Sequence, residues 1–197
     1  MYPATFSQYD EEQAILAAFG GKTDGYFLDI GAYSPDTFSN TRALFLRGWK
    51  GVMIEPSPGP MLGLLKEYGK EPRIHLLQAA ASTSETPLEM WITDDSVSTA
   101  DAATFEKWKD QVAFFGKMRV LAVTWQQISL WYGGFDFVNI DAEGISVELF
   151  KAMIDHEQRP GCCCVEHDGR LVELAAIATT AGYRMTYANG TNAVFTR

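Results

Sequence analysis

Four short polar stretches carry acidic residues: Asp29-Ile-Gly-Ala32, Glu55-Pro-Ser57, Asp141-Ala-Glu143-Gly144 and Glu166-His-Asp168. In the first, Gly31 has no Cβ, so the backbone can pass close beneath a ligand. Glu55 follows about two dozen residues later, and a carboxylate there can accept hydrogen bonds from both hydroxyls of an adenosine ribose. That spacing serves NAD and S-adenosylmethionine alike, but the glycines around it separate them. A pyrophosphate needs close backbone approach at a helix N-terminus, which a second glycine permits. Here Tyr33 holds that place, followed by Ser34 and Pro35. S-adenosylmethionine carries an ammonium and a sulfonium and no phosphate, so the Asp29 carboxylate suits it better. The competing reading is structural: Gly31 as an ordinary turn and Asp29 as a local cap.

These stretches follow apolar segments that read as strands: Tyr26–Ile30, Gly51–Glu55, Arg73–Gln78, Phe135–Asp141, Cys162–Glu166 and Tyr183–Tyr187, with Ala193–Phe195 as a possible seventh. Their hydrophobicity is continuous rather than alternating, which implies strands covered on both faces. Helical spacing is read over about Glu11–Phe19, over Pro35–Arg47 with Ser34 as N-cap, over Ser146–His156 and over Arg170–Ala181. Strands alternating with helices give a parallel α/β sheet, and ligands of such sheets sit beyond the carboxyl ends of the strands, where the acidic stretches fall. The middle departs from this alternation. Pro87–Thr93 reads as an extra strand, Ser96–Ala103 as a polar run and Thr104–Lys117 as a helix, so residues 94–118 are expected to be an insertion in a single domain spanning 1–197.

At 197 residues with 47% hydrophobic content, the chain is long enough for one full core. Its net charge of −9, without a Lys/Arg cluster, argues against a nucleic-acid partner. No apolar run approaches the roughly 20 residues that span a bilayer, and Met1–Asp10 has neither a basic region nor an apolar core. A soluble, cytoplasmic protein is expected. Cys162, Cys163 and Cys164 are consecutive, so they point to alternate faces of a strand and are expected to be buried free thiols rather than a disulfide or metal site.

Taken in order, "YDEEQAILAAFGG", "GYFLDIGAYSPDTFSNTRALFLRGWKGVMIEPSP", "LLQAAASTSETPLEMWI", "SVSTADA", "VTWQQI" and "FDFVNIDAEGISVELFKAM" resemble the FkbM family of S-adenosylmethionine-dependent methyltransferases, over roughly Phe6 to Glu166. The resemblance implies a Rossmann-like class I methyltransferase fold, a mostly parallel seven-stranded sheet with its last strand antiparallel and helices on both faces. It also implies O-methylation of a small hydroxyl-bearing acceptor, typically a carbohydrate or other secondary metabolite. Carried over by position, Asp29, Gly31 and Ala32 would form the cofactor turn, Glu55 would hold the ribose, and Ala80, Ala81 and Ser82 would flank the adenine. Asp141 and Glu143 would lie where methyl meets acceptor. Two features depart from the pattern: Tyr33 fills a position often small or polar, and the chain is short after its sixth strand, which leaves acceptor capping to the inserted middle.

Methyl transfer from a sulfonium is an in-line displacement, and an aliphatic hydroxyl needs a base or a metal to attack at neutral pH. His167 is the natural base because imidazole titrates near neutrality. Asp141 is a second candidate, with N-capping of the 146–156 helix as its structural alternative. A divalent ion held by Asp141 with Glu166 or Asp168 is a further, less favoured reading, by analogy with the strand-end magnesium ligands of catechol-type O-methyltransferases. His75 and His156 read as structural. Trp108, Phe114 and Phe115 read as core aromatics of the insertion, although a ring there could stack on a sugar. An NAD-linked oxidoreductase and a non-catalytic carbohydrate- or partner-binding module with a decayed cleft remain the rival functions.

Overall fold

The structure is a computed structural model that describes residues 5–197; Met1–Ala4, part of the stretch read for a leader, lie outside the described residues. In chain order the elements are α1 (Glu11–Phe19), β1 (Tyr26–Ile30), α2 (Arg42–Leu46), β2 (Lys50–Ile54), α3 (Pro58–Tyr68), β3 (Ile74–Leu77), β4 (Ala80–Ala81) and β5 (Leu88–Ile92). They continue with α4 (Ala102–Trp108), β6 (Gly116–Val120), β7 (Ala122–Val123), α5 (Trp125–Tyr132), β8 (Phe137–Ile140) and α6 (Ser146–Asp155). The chain ends with β9 (Cys162–Glu166), α7 (Leu171–Thr180), β10 (Arg184–Ala188) and β11 (Asn192–Thr196).

Seven strands form one sheet in the order β3-β2-β1-β8-β9-β11-β10. All pairings are parallel except those of β11, which runs antiparallel to both β9 and β10. The order reverses between β1 and β8, so the crevice beyond their carboxyl ends is the topological switch point.

Strand parity divides the core into two layers. Leu28, Ile30, Val138, Ile140, Cys163 and Val165 face a layer that contains Trp125, Ile128, Leu149, Phe150, Met153 and Leu174 from α5, α6 and α7. Phe27, Met53, Phe137, Cys162, Cys164 and Val194 face the opposite layer, with Ile15, Leu44, Phe45, Leu64 and Tyr68 from α1, α2 and α3. The three cysteines are buried free thiols that alternate between these layers, as the strand period requires. Burial pushes all three thiols upward.

Two sequence expectations change. The helix expected over Pro35–Arg47 shortens to α2. Ser34 Oγ accepts from the Asp36 and Thr37 N–H groups in a local turn, and Phe38 takes a φ of 59°. Ser39, Asn40 and Thr41 then turn into the sheet, where their polar side chains find buried partners, and that tertiary satisfaction overrides helix propensity. The helix expected over Thr104–Lys117 is also shorter. Asp101 caps α4 by accepting from the Thr104 N–H at 2.7 Å, and β6 then pairs antiparallel with β5. The extra strand near Pro87–Thr93 needed a partner, and residues 116–120 supply it. Trp91 stacks on Phe105 at 4.5 Å between ring centroids, and Phe105 meets Phe114 edge to face at 5.1 Å. The insertion is therefore a hairpin carrying a short helix.

The register Asp29↔Asn139↔Cys164 sets three residues side by side at the carboxyl end of the sheet, on the α1 face. Thr41 Oγ1 and Asn139 Nδ2 both donate to the Asp29 carboxylate, the latter at 2.9 Å. Asn40 Nδ2 donates in turn to Asn139 Oδ1 at 3.0 Å. Hydrogen bonds to a buried charge are the costly ones to break. The substitution Asn139→Ala is expected to lower unfolding free energy by about 2–3 kcal/mol, because it leaves Asp29 short of a donor. Urea denaturation measures this, and a loss under about 0.5 kcal/mol would show that the network does not carry stability.

Candidate functional site

A cavity of about 540 Å³ lies beyond the carboxyl ends of β1, β2 and β8. Its floor includes Gly31, Tyr33, Glu55 and Ala79–Ala81, its far end Asp141, Glu143 and Glu166, and its roof residues 95–101 of the insertion with Lys107 and Trp108. Gln8 and Tyr9, just before α1, close one side.

Gly31 sits at φ 77°, and a Cβ there would fall 1.7 Å from the Asp141 carbonyl oxygen. The glycine thus lets the end of β1 pass against the loop that follows β8, and any side chain would push the two central strands apart. Ala32 is buried below this turn, and its N–H donates to the Ile54 carbonyl. Asp29 is among neither cavity's lining residues. By strand parity its carboxylate enters the α1 layer, where Thr41 and Asn139 hold it.

Glu55 does line the cavity. Its Oε2 accepts from the Tyr33 N–H at 3.0 Å and its Oε1 from the Ser57 N–H at 2.7 Å. Two backbone donors fix the orientation of the carboxylate and leave each oxygen a free lone pair. Burial nevertheless pushes it up to about 7, against the lowering effect of those donors. Ala81 lines the same floor. Ser82 is buried behind it, with its N–H donating to the Val123 carbonyl and its Oγ accepting from Ser84.

Asp141, Glu143 and Glu166 each bring a carboxylate oxygen within 4.8 Å of the others. Burial raises all three above the usual carboxylate range, and repulsion from neighbouring carboxylates adds to it, while a hydrogen bond with Glu166 lowers Asp141. Ser146 Oγ, which accepts from the Ala142 N–H at 2.9 Å, orients Glu166 from 3.4 Å. Such a group of oxygens can share protons, face a cationic ligand or hold a hard divalent ion. Asp141 does not cap α6. Asp168 accepts from the Gly144 N–H at 3.2 Å, just ahead of that helix, and burial raises its carboxyl too. Gly144 is packed by the insertion: a Cβ there would fall 2.9 Å from Asp101 Cβ. Thr99 Oγ1 donates to the adjacent Glu143 carbonyl at 2.9 Å.

His167 is not brought to the cavity. It is buried, its Nδ1 accepts from the Gly169 N–H at 3.1 Å, and its Nε2 lies 3.2 Å from the Asn189 carbonyl. With both ring nitrogens engaged, His167 has no free lone pair facing the cavity in this arrangement, unlike the base expected of it. Sequence reading missed Lys107, Thr191, Gln8 and Tyr9. Lys107 and Thr191 line both this cavity and a second one of about 380 Å³ on the outer side of the carboxylates. The only signal for Thr191 was the turn-forming Asn189-Gly-Thr-Asn192.

The strand order, the antiparallel β11 and a cleft at the β1/β8 switch point define a class I methyltransferase fold. The family described as the methyltransferase FkbM domain matches residues 29–184, and the chain belongs to that family. A methyltransferase FkbM from Methylobacillus flagellatus superposes with a TM-score of 0.54 at 13% identity, over 89% of this chain and 44% of that one. The chain therefore spans under half the length of that protein. A precorrin-6Y C5,15-methyltransferase from Geobacter metallireducens superposes with a TM-score of 0.53 at 13% identity, covering 100% and 92% of the two chains. A putative methyltransferase, yhhF, from Escherichia coli gives 0.51 at 11% identity, covering 100% and 90%. These likenesses establish the fold. No curated protein matches the sequence. Family and fold together imply S-adenosylmethionine as methyl donor. Among the described residues, no helix is long and apolar enough to cross a membrane.

The raised Glu55 carboxyl has a measurable consequence. A carboxyl raised on folding contributes stability that is fully present below its ordinary value of 4.5 and is lost as pH climbs through about 7. The unliganded protein should thus lose stability across that window, and Glu55→Gln should flatten the slope. Thermal melts at stepped pH check this; an unchanged slope in the variant would show that Glu55 ionises freely.

Proposed function

We propose that the protein is an S-adenosylmethionine-dependent O-methyltransferase acting on a small, multiply hydroxylated acceptor of the carbohydrate kind. One observation carries the reading: the carboxylates Glu143 and Glu166 lie on the shared wall of two cavities, with Asp141 beside them on the inner side. The inner cavity takes the cofactor. Glu55, oriented by the Tyr33 and Ser57 N–H groups, accepts from the ribose hydroxyls, while Ala80 and Ala81 offer a smooth surface to the adenine. The carboxylates at the far end attract the ammonium and sulfonium of the donor.

The outer cavity takes the acceptor. Lys107, Arg170, Thr104, Thr191 and Asp168 line it, together with the backbone at Gly144, Gly169 and Gly190. Its lining includes both hydrogen-bond donors and acceptors and no aromatic ring, which fits a polyol better than a flat phenol. Residues 94–118 cap the junction, and Thr99 and Asp101 tie that cap to Glu143 and Gly144. The acceptor oxygen attacks the methyl carbon in line with sulfur, the carbon–sulfur bond breaks to leave S-adenosylhomocysteine, and the hydroxyl proton passes to the carboxylate group, with Asp141 as the accepting residue.

The turn after β1 disfavours a dinucleotide. Tyr33 occupies the place of the second glycine, and α2 does not begin until Arg42, so no helix N-terminus stands where a pyrophosphate would lie.

Calorimetry should show S-adenosylhomocysteine binding to the wild type, and to Asp141→Asn within about tenfold of it, because Glu143 and Glu166 still face its ammonium. Methyl transfer to a panel of methyl glycosides should fall by about 10²–10⁴ in Asp141→Asn, the range for loss of a general base. Absence of cofactor binding by the wild type would overturn the enzymatic reading, and binding without transfer to any acceptor would favour a non-catalytic module. Activity abolished by a chelator and restored by Mg²⁺ would reassign the carboxylates from proton acceptance to metal binding.

A further inference from the structure

Glu11 is a fully buried carboxylate outside the chemistry described so far. Its Oε1 accepts from Asn189 Nδ2 at 2.7 Å and Asn192 Nδ2 at 2.8 Å, and its Oε2 accepts from the Tyr9 N–H at 2.9 Å. Asn189 Oδ1 in turn accepts from the Thr191 and Asn192 N–H groups at 2.8 and 2.7 Å, which closes the turn between β10 and β11. The His167 N–H donates to the Thr191 carbonyl at 2.9 Å, and its Nε2 donates to the Asn189 carbonyl, because Nδ1 is already accepting from Gly169. Glu12 adds a second tie: its Oε2 accepts from the Phe6 N–H at 3.0 Å.

These contacts join three segments that are far apart in sequence. The first carries Gln8 and Tyr9, the second Thr191, and the third Glu166 and Asp168 on either side of His167. Every one of these five residues lines a cavity of the site. We propose that Glu11 and His167 are positioning residues, which hold the N-terminal segment, the β10–β11 turn and the end of β9 in one register as the outer wall of the cofactor and acceptor cavities. The inference rests on the cofactor reading above.

The chemistry makes Glu11 irreplaceable by its amide. Oε1 faces two amide donors and Oε2 faces one backbone donor, so either orientation of a glutamine sets an NH₂ against an N–H. His167 differs, because glutamine can place a donor near the Nε2 position while offering no titratable group. A positioning role therefore tolerates glutamine at 167, and a proton-accepting role does not.

The test is calorimetry of S-adenosylhomocysteine, at a temperature well below unfolding, on the wild type and on Glu11→Gln, Tyr9→Ala, His167→Ala and His167→Gln. Expected are a loss of affinity of about tenfold for Glu11→Gln and Tyr9→Ala, a smaller loss for His167→Ala, and recovery to within about threefold of wild type for His167→Gln. Tyr9 is exposed and Tyr9→Ala keeps the N–H that Glu11 accepts from, so this variant reads whether the held segment meets the nucleoside even where Glu11→Gln fails to fold. Wild-type binding with Glu11→Gln or Tyr9→Ala unaffected would overturn the positioning role. His167→Ala binding normally, or His167→Gln no better than His167→Ala, would overturn the part assigned to His167. A wild type that does not bind the nucleoside would instead overturn the cofactor reading.

Discussion

The hydrogen bond from Asn139 to Asp29 crosses between the two strands that flank the switch point, and the geometry of the site depends on it. A carboxylate buried in the α1 layer demands donors. Asn139 provides one from β8, and Thr41 provides another from the segment leading to α2. Meeting that demand pins residues 39–41 against the sheet, which ends any helix before Arg42 and frames the loop containing Tyr33 and Phe38, both of which line the cavity. The backbone ladder beside it, with the Asp141 N–H donating to the Ile30 carbonyl at 3.0 Å, keeps the ends of β1 and β8 close enough that only glycine fits at position 31. The loop thus follows from one buried carboxyl group, and the strand spacing from the ladder that its hydrogen bond reinforces.

The far end of the cleft is held differently. Asp141, Glu143, Glu166 and Asp168 repel one another, and burial raises each of them. Such a group is stable when protons are shared within it, or when positive charge arrives with a ligand. Lys107 from the insertion is the cation that lowers the Glu143 carboxyl, so the cap contributes charge as well as cover. An acidic pocket with raised carboxyls is well matched to a cationic methyl donor.

Much of this architecture is legible in the sequence, because the strands carry continuous apolar runs and four of them have an acidic residue at or next to their ends. The seven strands of the main sheet were readable for that reason. What was not legible depends on contacts distant in sequence. Nothing within Pro35–Arg47 shows that Asn40 and Thr41 have partners on β8 and β1, so helical spacing was the natural reading. The Thr104–Lys117 segment likewise has helical composition, but β5 lacks a partner until residues 116–120 supply one. The helices α3 and α5 left local marks instead: Ser57-Pro58 as cap and first residue, and Thr124 with Gln127 as a capping box. Glu11 is marked by its position four residues before the buried Ile15, which puts both on the inner face of α1.

The acidic strand ends also show why residue type alone does not assign chemistry. Asp29 lies within its strand and follows the two-residue period, so its side chain goes to the helix layer. Glu55 and Asp141 come one residue past the ends of β2 and β8, where the chain is leaving the sheet and the side chain is released toward the cleft. His167 is also one residue past its strand, but its N–H and ring remain tied to the β10–β11 turn through Thr191 and Asn189. Glu166 is the last residue of β9 and Asp168 lies in the loop beyond it, and it is these two that reach the cavities. Asp29, one residue short of its strand's end, faces the helix layer, whereas Glu55, Asp141, Glu166 and Asp168 stand at or beyond the ends of their strands and line the cavities.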